Sequence, residues 1–330
     1  MKRILYLTVV LLLSVFFSSA KKKAGNTVYE TESRFIRDAC LSAYGRVVVC
    51  TDNISLKAFS VEDGKLLARF GGGHKDDVLC VDLSQDSTLL VSGGRDSMVV
   101  LYDFITSEIL HRFQISNGVI TDVRFSPDNR LVLIGSSGST AYLYSIAEKK
   151  FVHEISDFKK DITSVDFDFY GNRMAVASAD KSIRIYNART FDTEMVLKGH
   201  RSWVRSVSFY NYGNSLISCS DDRRIVLWNI ANPKKIRSDI ITTFGGWNLS
   251  VDAGDEQENK SYHYVYGTKS GLIKFNYAFG NYYVRSSSPA VKVLLAPDNG
   301  VTIRIVAATL GDGLMLLNGK SMKFSSKIMK

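Results

Sequence analysis

Residues 199–229 read GHRSWVRSVSFYNYGNSLISCSDDRRIVLWN, opening on Gly199-His200 and closing on Trp228-Asn229. Three runs inside the stretch have strand character: VRSVSF, SLISC and RIVLWN. Turn clusters, NYGN and then SDDR, separate them. Short apolar or β-branched runs bounded by Asn, Gly, Asp and Ser are the signal for antiparallel strands joined by tight turns. The stretch is one unit, and most of the chain repeats it.

Upstream of Trp228, aromatic residues recur at Tyr186, Tyr144 and Tyr102, each step being 42 positions. Phe59 lies 43 positions before Tyr102; Phe275 lies 47 after Trp228, and Leu317 another 42 on. Seven markers therefore define seven units. A repeat of about 40–45 residues with four short strands is the period of a propeller blade. The expected fold is all-β: a seven-bladed β-propeller of four-stranded antiparallel blades.

The chain resembles the WD-repeat (WD40) family from about residue 34 onward. Its signatures appear as Gly73-His74 with Tyr102-Asp103, and as Gly199-His200 with Trp228-Asn229. The resemblance implies structural tetrads at His74, Ser92, Asp96 and Tyr102, and at His200, Ser218, Asp222 and Trp228. The fourth unit keeps Asp180 and Tyr186 but has Phe158 at the His position. The third has Gly138 at the Asp position. Units one, six and seven are assigned by period alone. An imidazole, a hydroxyl and a carboxylate in a hydrogen-bonded chain satisfy one another and tie a blade together. The same trio could suggest a nucleophilic triad, but its recurrence at the same spacing in a second unit points to structure.

Residues 1–20 have the form of a secretory signal peptide: Lys2 and Arg3, an apolar run from Ile4 to Phe17, then Ser18-Ser19-Ala20. Cleavage after Ala20 is expected, giving an exported chain, periplasmic or secreted, without a stable membrane span. Lys21–Lys23 directly after the run also fit an uncleaved anchor. Residues 21–33 are read as an N-terminal extension and 34–330 as the propeller.

The chain has 42 Lys+Arg against 33 Asp+Glu, a net charge of +9. Removing Lys2 and Arg3 leaves +7, spread over the units, so no nucleic-acid partner is expected. Cys40, Cys50, Cys80 and Cys219 lie in apolar runs, fit no zinc or CxxC spacing, and are read as buried thiols. No nucleophile elbow, HExxH, phosphate loop or dinucleotide fingerprint is present. His111 and His153, in adjacent units, are not expected to share a metal. No cofactor, metal site or catalytic residue is expected.

The sixth unit carries a polar insertion near residues 252–262, DAGDEQENKSY, placed in a loop. Tyr262, Tyr264, Tyr266, Tyr277, Tyr282 and Tyr283 follow it, as strand residues or a glycan-stacking surface. The last unit is expected to complete itself with a C-terminal strand around Phe324, rather than with Asn26–Thr31.

The resemblance implies protein binding through the face that carries the turns before each first strand. Asp77, Asp161 and Trp203 stand there, near Arg95, Arg201 and Arg223. Trp203 is the strongest candidate contact, although it also suits packing against its own blade. The alternatives are an exported propeller hydrolase or lactonase, with a metal held by inner-strand Asp82, Asp122, Asp166 and Asp252, and a glycan-binding propeller.

Overall fold

The computed structural model describes residues 36–231 throughout and, outside them, the backbone of the strands named below and Val251. Strands follow one another as antiparallel meanders. The first sheet is Ala39–Leu41, Val47–Asp52, Ser55–Ser60 and Leu66–Phe70. The second is Val78–Leu83, Leu89–Gly94, Met98–Asp103 and Ile109–Gln114. The third is Ile120–Phe125, Leu131–Ser136, Ala141–Ser145 and Lys150–Ile155. The fourth is Ile162–Phe167, Arg173–Ser178, Ser182–Asn187 and Thr193–Lys198. The fifth is Val204–Tyr210, Ser215–Ser220, Arg224–Asn229 and Arg237–Thr242. The sixth is Asn248–Gly254, His263–Thr268, Leu272–Tyr277 and Gly280–Arg285. A last sheet holds Ala290–Ala296, Arg304–Thr309 and Gly313–Asn318.

The strand patterns explain the packing. Second and third strands are buried almost end to end, as in Leu89–Gly94 and Met98–Asp103. A fourth strand such as Ile109–Gln114 alternates half-buried with exposed. Middle strands therefore have neighbours on both faces, whereas outer strands show one face to water. The buried clusters agree. One joins Val49, Leu56 and Phe70 of the first sheet to Val81, Leu90 and Tyr102 of the second. Another joins Ala175, Ile183 and Ile185 of the fourth to Val207, Leu216 and Trp228 of the fifth. The sheets stack face to face. Their first strands touch in succession, and the first strand of the last sheet returns to that of the first. This is the arrangement of a β-propeller.

The first strands of the second to fifth sheets also begin with a register shift, at Val78/Cys80, Ile120/Asp122, Ile162/Ser164 and Val204/Ser206. A bulge bends the strand and re-aims the extra side chain.

The expected C-terminal closure is corrected. Asn26–Tyr29 pairs antiparallel with Gly313–Asn318, from Asn26 opposite Leu317 to Tyr29 opposite Leu314, and Lys22–Lys23 pairs outside it. The outer position of the last sheet is therefore filled from the start of the chain, within the stretch read as an extension. The alternating backbone groups of NTVY supply the ladder that the exposed edge of Gly313–Asn318 needs. Phe324 lies outside the described residues, as do residues 1–20 and residues 255–262 of the insertion. Tyr264, Tyr266, Tyr277, Tyr282 and Tyr283 fall within the strands of the sixth sheet. All four cysteines are buried. Cys40 pairs with Val49 and Ala39 with Cys50, so the two thiols of this hairpin stand on opposite faces of the sheet.

Candidate functional site

Two sheets carry the same polar chain. In the second, His74 Nε2 is 2.7 Å from Ser92 Oγ, and Nδ1 is 3.1 Å from Asp96 Oδ1. Asp96 also accepts the backbone N–H of Lys75 at 2.8 Å. In the fifth, His200 Nε2 is 2.7 Å from Ser218 Oγ and Nδ1 is 3.0 Å from Asp222 Oδ2. Trp228 Nε1 donates to Ser218 at 2.8 Å, and Arg201 N–H to Asp222 at 2.7 Å. The chain thus runs from the loop before the first strand, through the second, to the third. Burial alone would raise the carboxyl pKa of Asp96 and Asp222, but the imidazole and backbone N–H bonds outweigh it and hold both below the usual carboxylate range. Burial lowers the pKa of His74, against the pull of Asp96.

Other sheets meet the same need differently. In the fourth, Phe158 is buried at the His position. The Arg184 guanidinium lies 4.0 Å from its ring centroid and reaches Asp180 at 3.4 Å and Asp157 at 3.5 Å. Tyr186 Oη donates to Asp157 at 2.8 Å. In the third, Tyr144 stacks on Phe113 at 3.7 Å, and its hydroxyl has no partner among the described residues. In the first, Lys57 Nζ pairs with Asp52 Oδ2 at 2.9 Å, both side chains almost fully buried. Arg184 was visible in the sequence as a charge inside the apolar run SIRIYN, and Lys57 likewise inside SLKAFS.

The inner-strand carboxylates have structural partners. Asp82 Oδ2 accepts the N–H of Phe125 at 2.8 Å, Asp122 that of Val165 at 3.0 Å, and Asp166 that of Phe209 at 2.7 Å. Asp38, which the sequence reading passed over, does the same for Val81 at 3.0 Å. Each bond crosses from one sheet to the first strand of the next. Asp122 also pairs with Arg124 at 3.0 Å. Burial opposes the charge of Arg124, but Asp122, Asp82, Asp38 and Asp166 outweigh it and raise its pKa. Burial pushes Asp82 up to about 6, with Arg124 acting against the shift. The Asp252 side chain lies outside the described residues. No group of three or more His, Cys, Asp or Glu among the described residues is placed to hold a metal. His111 lies beside Tyr144, whereas His153 stacks on Phe191 at 4.3 Å.

The loops before the first strands hold two groups of the expected surface residues. Asp77 faces Arg37 at 3.6 Å and Arg95 at 3.9 Å, with Asp76 4.0 Å from Arg95. Exposed Arg201 gives its backbone N–H to Asp222, and exposed Arg223 follows Asp222 in the chain, in a left-handed turn, φ 64°. Trp203 is 40% exposed, with the Arg205 guanidinium 4.9 Å from its ring centroid. Arg205 occupies the bulge and grips Asp221 bidentately, at 2.8 and 2.6 Å. The sequence reading missed this support, because nothing in VRSVSF marks Arg205 as the residue at a bulge. Asp161 stands on the fourth sheet, its carbonyl accepting the N–H of Ala179 at 2.9 Å.

The family model described as WD domain, G-beta repeat matches residues 64–103, 107–145, 149–187 and 191–229. No curated protein sequence matches the chain. Among solved structures, "Structure of U3-55K" superposes with a TM-score of 0.77 at 14% identity, covering 90% of this chain and 99% of that one. At that identity the likeness concerns the fold.

Proposed function

Because the chain belongs to the WD-repeat family, we propose that it is a seven-bladed scaffold that binds a protein partner outside the cytoplasm and performs no catalysis. The observation that carries the reading is Trp203, a large aromatic left in solvent yet braced by Arg205 on a bulge that Asp221 fixes. Braced aromatic and arginine side chains suit an interface hot spot. Arg201 and Arg223 beside it add positive charge, which favours an acidic segment of the partner. The seven-fold count rests on the marker residues, together with the succession of touching first strands.

Non-enzymatic function is supported by the inner carboxylates, whose oxygens accept backbone N–H groups of the next sheet. Export is supported by the form of residues 1–20. Cleavage after Ala20 would leave both outer strands of the last sheet, Lys22–Lys23 and Asn26–Tyr29, in the mature chain. Intact-mass measurement should give a chain beginning at Lys21; retention of residues 1–20 would replace secretion with anchoring.

The binding test is capture of partners from the envelope or secreted fraction. Trp203→Ala with Arg201→Ala should weaken capture by more than ~2 kcal/mol, while circular dichroism and melting stay near wild type. A large fall in melting temperature would make Trp203 a packing residue instead.

A further inference from the structure

The turns between first and second strands lie on the face opposite Trp203, and in the first three sheets they follow a rule that the fourth varies. Ser42, Ser84 and Ser126 recur 42 positions apart. Each hydroxyl accepts backbone N–H groups of its own turn: Val47 at 3.0 Å, Leu89 at 2.8 Å and Leu131 at 2.9 Å. At the next step stands Asp168. Its Oδ1 does the serine's work, accepting Asn172 N–H at 2.7 Å and Arg173 N–H at 3.1 Å. Its Oδ2 is surplus to that role and has no hydrogen-bond partner among the described residues. Yet Asp168 is only 4% exposed. An acceptor not spent on its own turn is open to a donor from outside.

The surroundings say which kind. Asp168 lines a cavity of about 500 Å³ with Tyr170, Asn172, Tyr212, Gly213 and Asn214. A Cβ at Gly213 would stand 2.9 Å from Asp168 Oδ2, so glycine keeps that oxygen uncovered. Phe169, Tyr170 and Tyr212 are exposed and packed edge to face, at 5.0 and 5.3 Å from the Phe169 centroid. The corresponding turns of the first four sheets have a single left-handed residue each, at Gly45, Ser87, Asn129 and Gly171. The fifth sheet's turn has three in a row, Asn211, Tyr212 and Gly213. A left-handed tyrosine is unfavourable backbone, and here it brings Tyr212 against Phe169. The acid on the far wall is already neutralised: Glu194 accepts Arg173 Nε at 2.7 Å and Asn187 Nδ2 at 3.1 Å.

We infer that this cavity between the turns of the fourth and fifth sheets binds a saccharide. A pyranose has C–H faces that lie on exposed aromatic rings and a rim of hydroxyls. One hydroxyl donates to Asp168 Oδ2. Others exchange hydrogen bonds with Asn172 and Asn214, whose amides offer donor and acceptor together. The site is separate from the Trp203 face and does not depend on the partner proposed there.

The test presents the full chain to an array of neutral and acidic oligosaccharides and measures the hits by titration calorimetry. Asp168→Ser installs the residue that three other turns use, so the fold is kept. It should weaken sugar binding at least tenfold with the melting temperature unchanged. Tyr212→Gly removes the ring, relieves the left-handed strain, and should weaken binding similarly. Trp203→Ala with Arg201→Ala should leave sugar binding untouched. Three results would overturn the inference: no sugar retained by the wild type, equal binding by Asp168→Ser, or displacement of the sugar by a lysine- or arginine-containing peptide whose own binding requires Asp168. The last would make a basic protein side chain the occupant.

Discussion

The fifth and fourth sheets are neighbours one period apart, with second, third and fourth strands of equal length, yet their buried polar centres share almost nothing. The fifth joins three strands through His200, Ser218, Asp222 and Trp228. The fourth puts a phenylalanine where the imidazole would be, and Val176 where Ser218 would be. It recruits Arg184 from the third strand to reach the same carboxylate position, Asp180. The first sheet goes further and buries a complete ion pair, Lys57 with Asp52. Where a carboxylate stands near the second turn it is matched by a donor, and the third sheet, with Gly138 there, does without the pair. The identity of the donor is open, but its cost on removal is not, because a carboxylate held by an imidazole and a backbone N–H and one paired with a buried ammonium respond differently to loss of one member.

The sharpest break is therefore Lys57→Ala, which removes the cation beside Asp52 in a site with almost no solvent. It should cost about 3–5 kcal/mol, the range for removing one partner of a buried ion pair, read by denaturant unfolding. Lys57→Met with Asp52→Leu should recover most of that loss, because an apolar pair has no charge to strand. A smaller effect is expected for Asp222→Ala, about 1–3 kcal/mol, because His200 keeps Ser218 as a partner. Phe158→His should fall in the same range, since Val176 cannot accept from the new imidazole; adding Val176→Ser should restore part of the stability. Equal losses for Lys57→Ala and Asp222→Ala would erase the distinction between the two kinds of centre.

The smallest effect is in pH. His74 has its pKa lowered in the fold, so the unfolded chain takes up its proton first, and stability falls as pH drops below about 6.5. Asp82 is pushed up to about 6, so the folded chain takes up a proton there that the unfolded chain does not, and stability rises between about 6 and 3.8. The two oppose each other. Asp96 and Asp222, held low, add their loss only as pH falls through the usual carboxylate range and below. Melting temperature should change little between pH 6 and 4, and Asp82→Asn should make it fall visibly over that interval. An unchanged profile in Asp82→Asn would remove Asp82 from the account.

Much of this was legible in the chain before its structure. The 42-residue step shows because the buried third-strand aromatic must recur wherever a sheet packs the same way. The polar chains of the second and fifth sheets show because all their residue types are distinctive. The closing strand does not show, since NTVY is short, lacks a marker, and gains meaning only from Gly313–Asn318 far along the chain. The inner carboxylates stay ambiguous for a related reason: Asp82, Asp122 and Asp166 recur with differing offsets and leave a channel metal as an alternative, whereas in the structure each is turned to a backbone N–H 43 residues away. The aromatic group of Phe169, Tyr170 and Tyr212 comes from two turns whose meeting no single segment announces.

The pairing of Asn26–Tyr29 with Gly313–Asn318 also sets the order of events in folding. Each meander can form from contacts close in sequence, and loop closure is cheap for such pairs. The ladder from Asn26–Leu317 to Tyr29–Leu314 instead joins points separated by almost the whole chain. A strand of four residues made early must wait, unpaired, until the last sheet exists. Local meanders should appear quickly and the final latch slowly, and during that interval the exposed edge of Gly313–Asn318 is the place where a second molecule's Asn26–Tyr29 could dock instead.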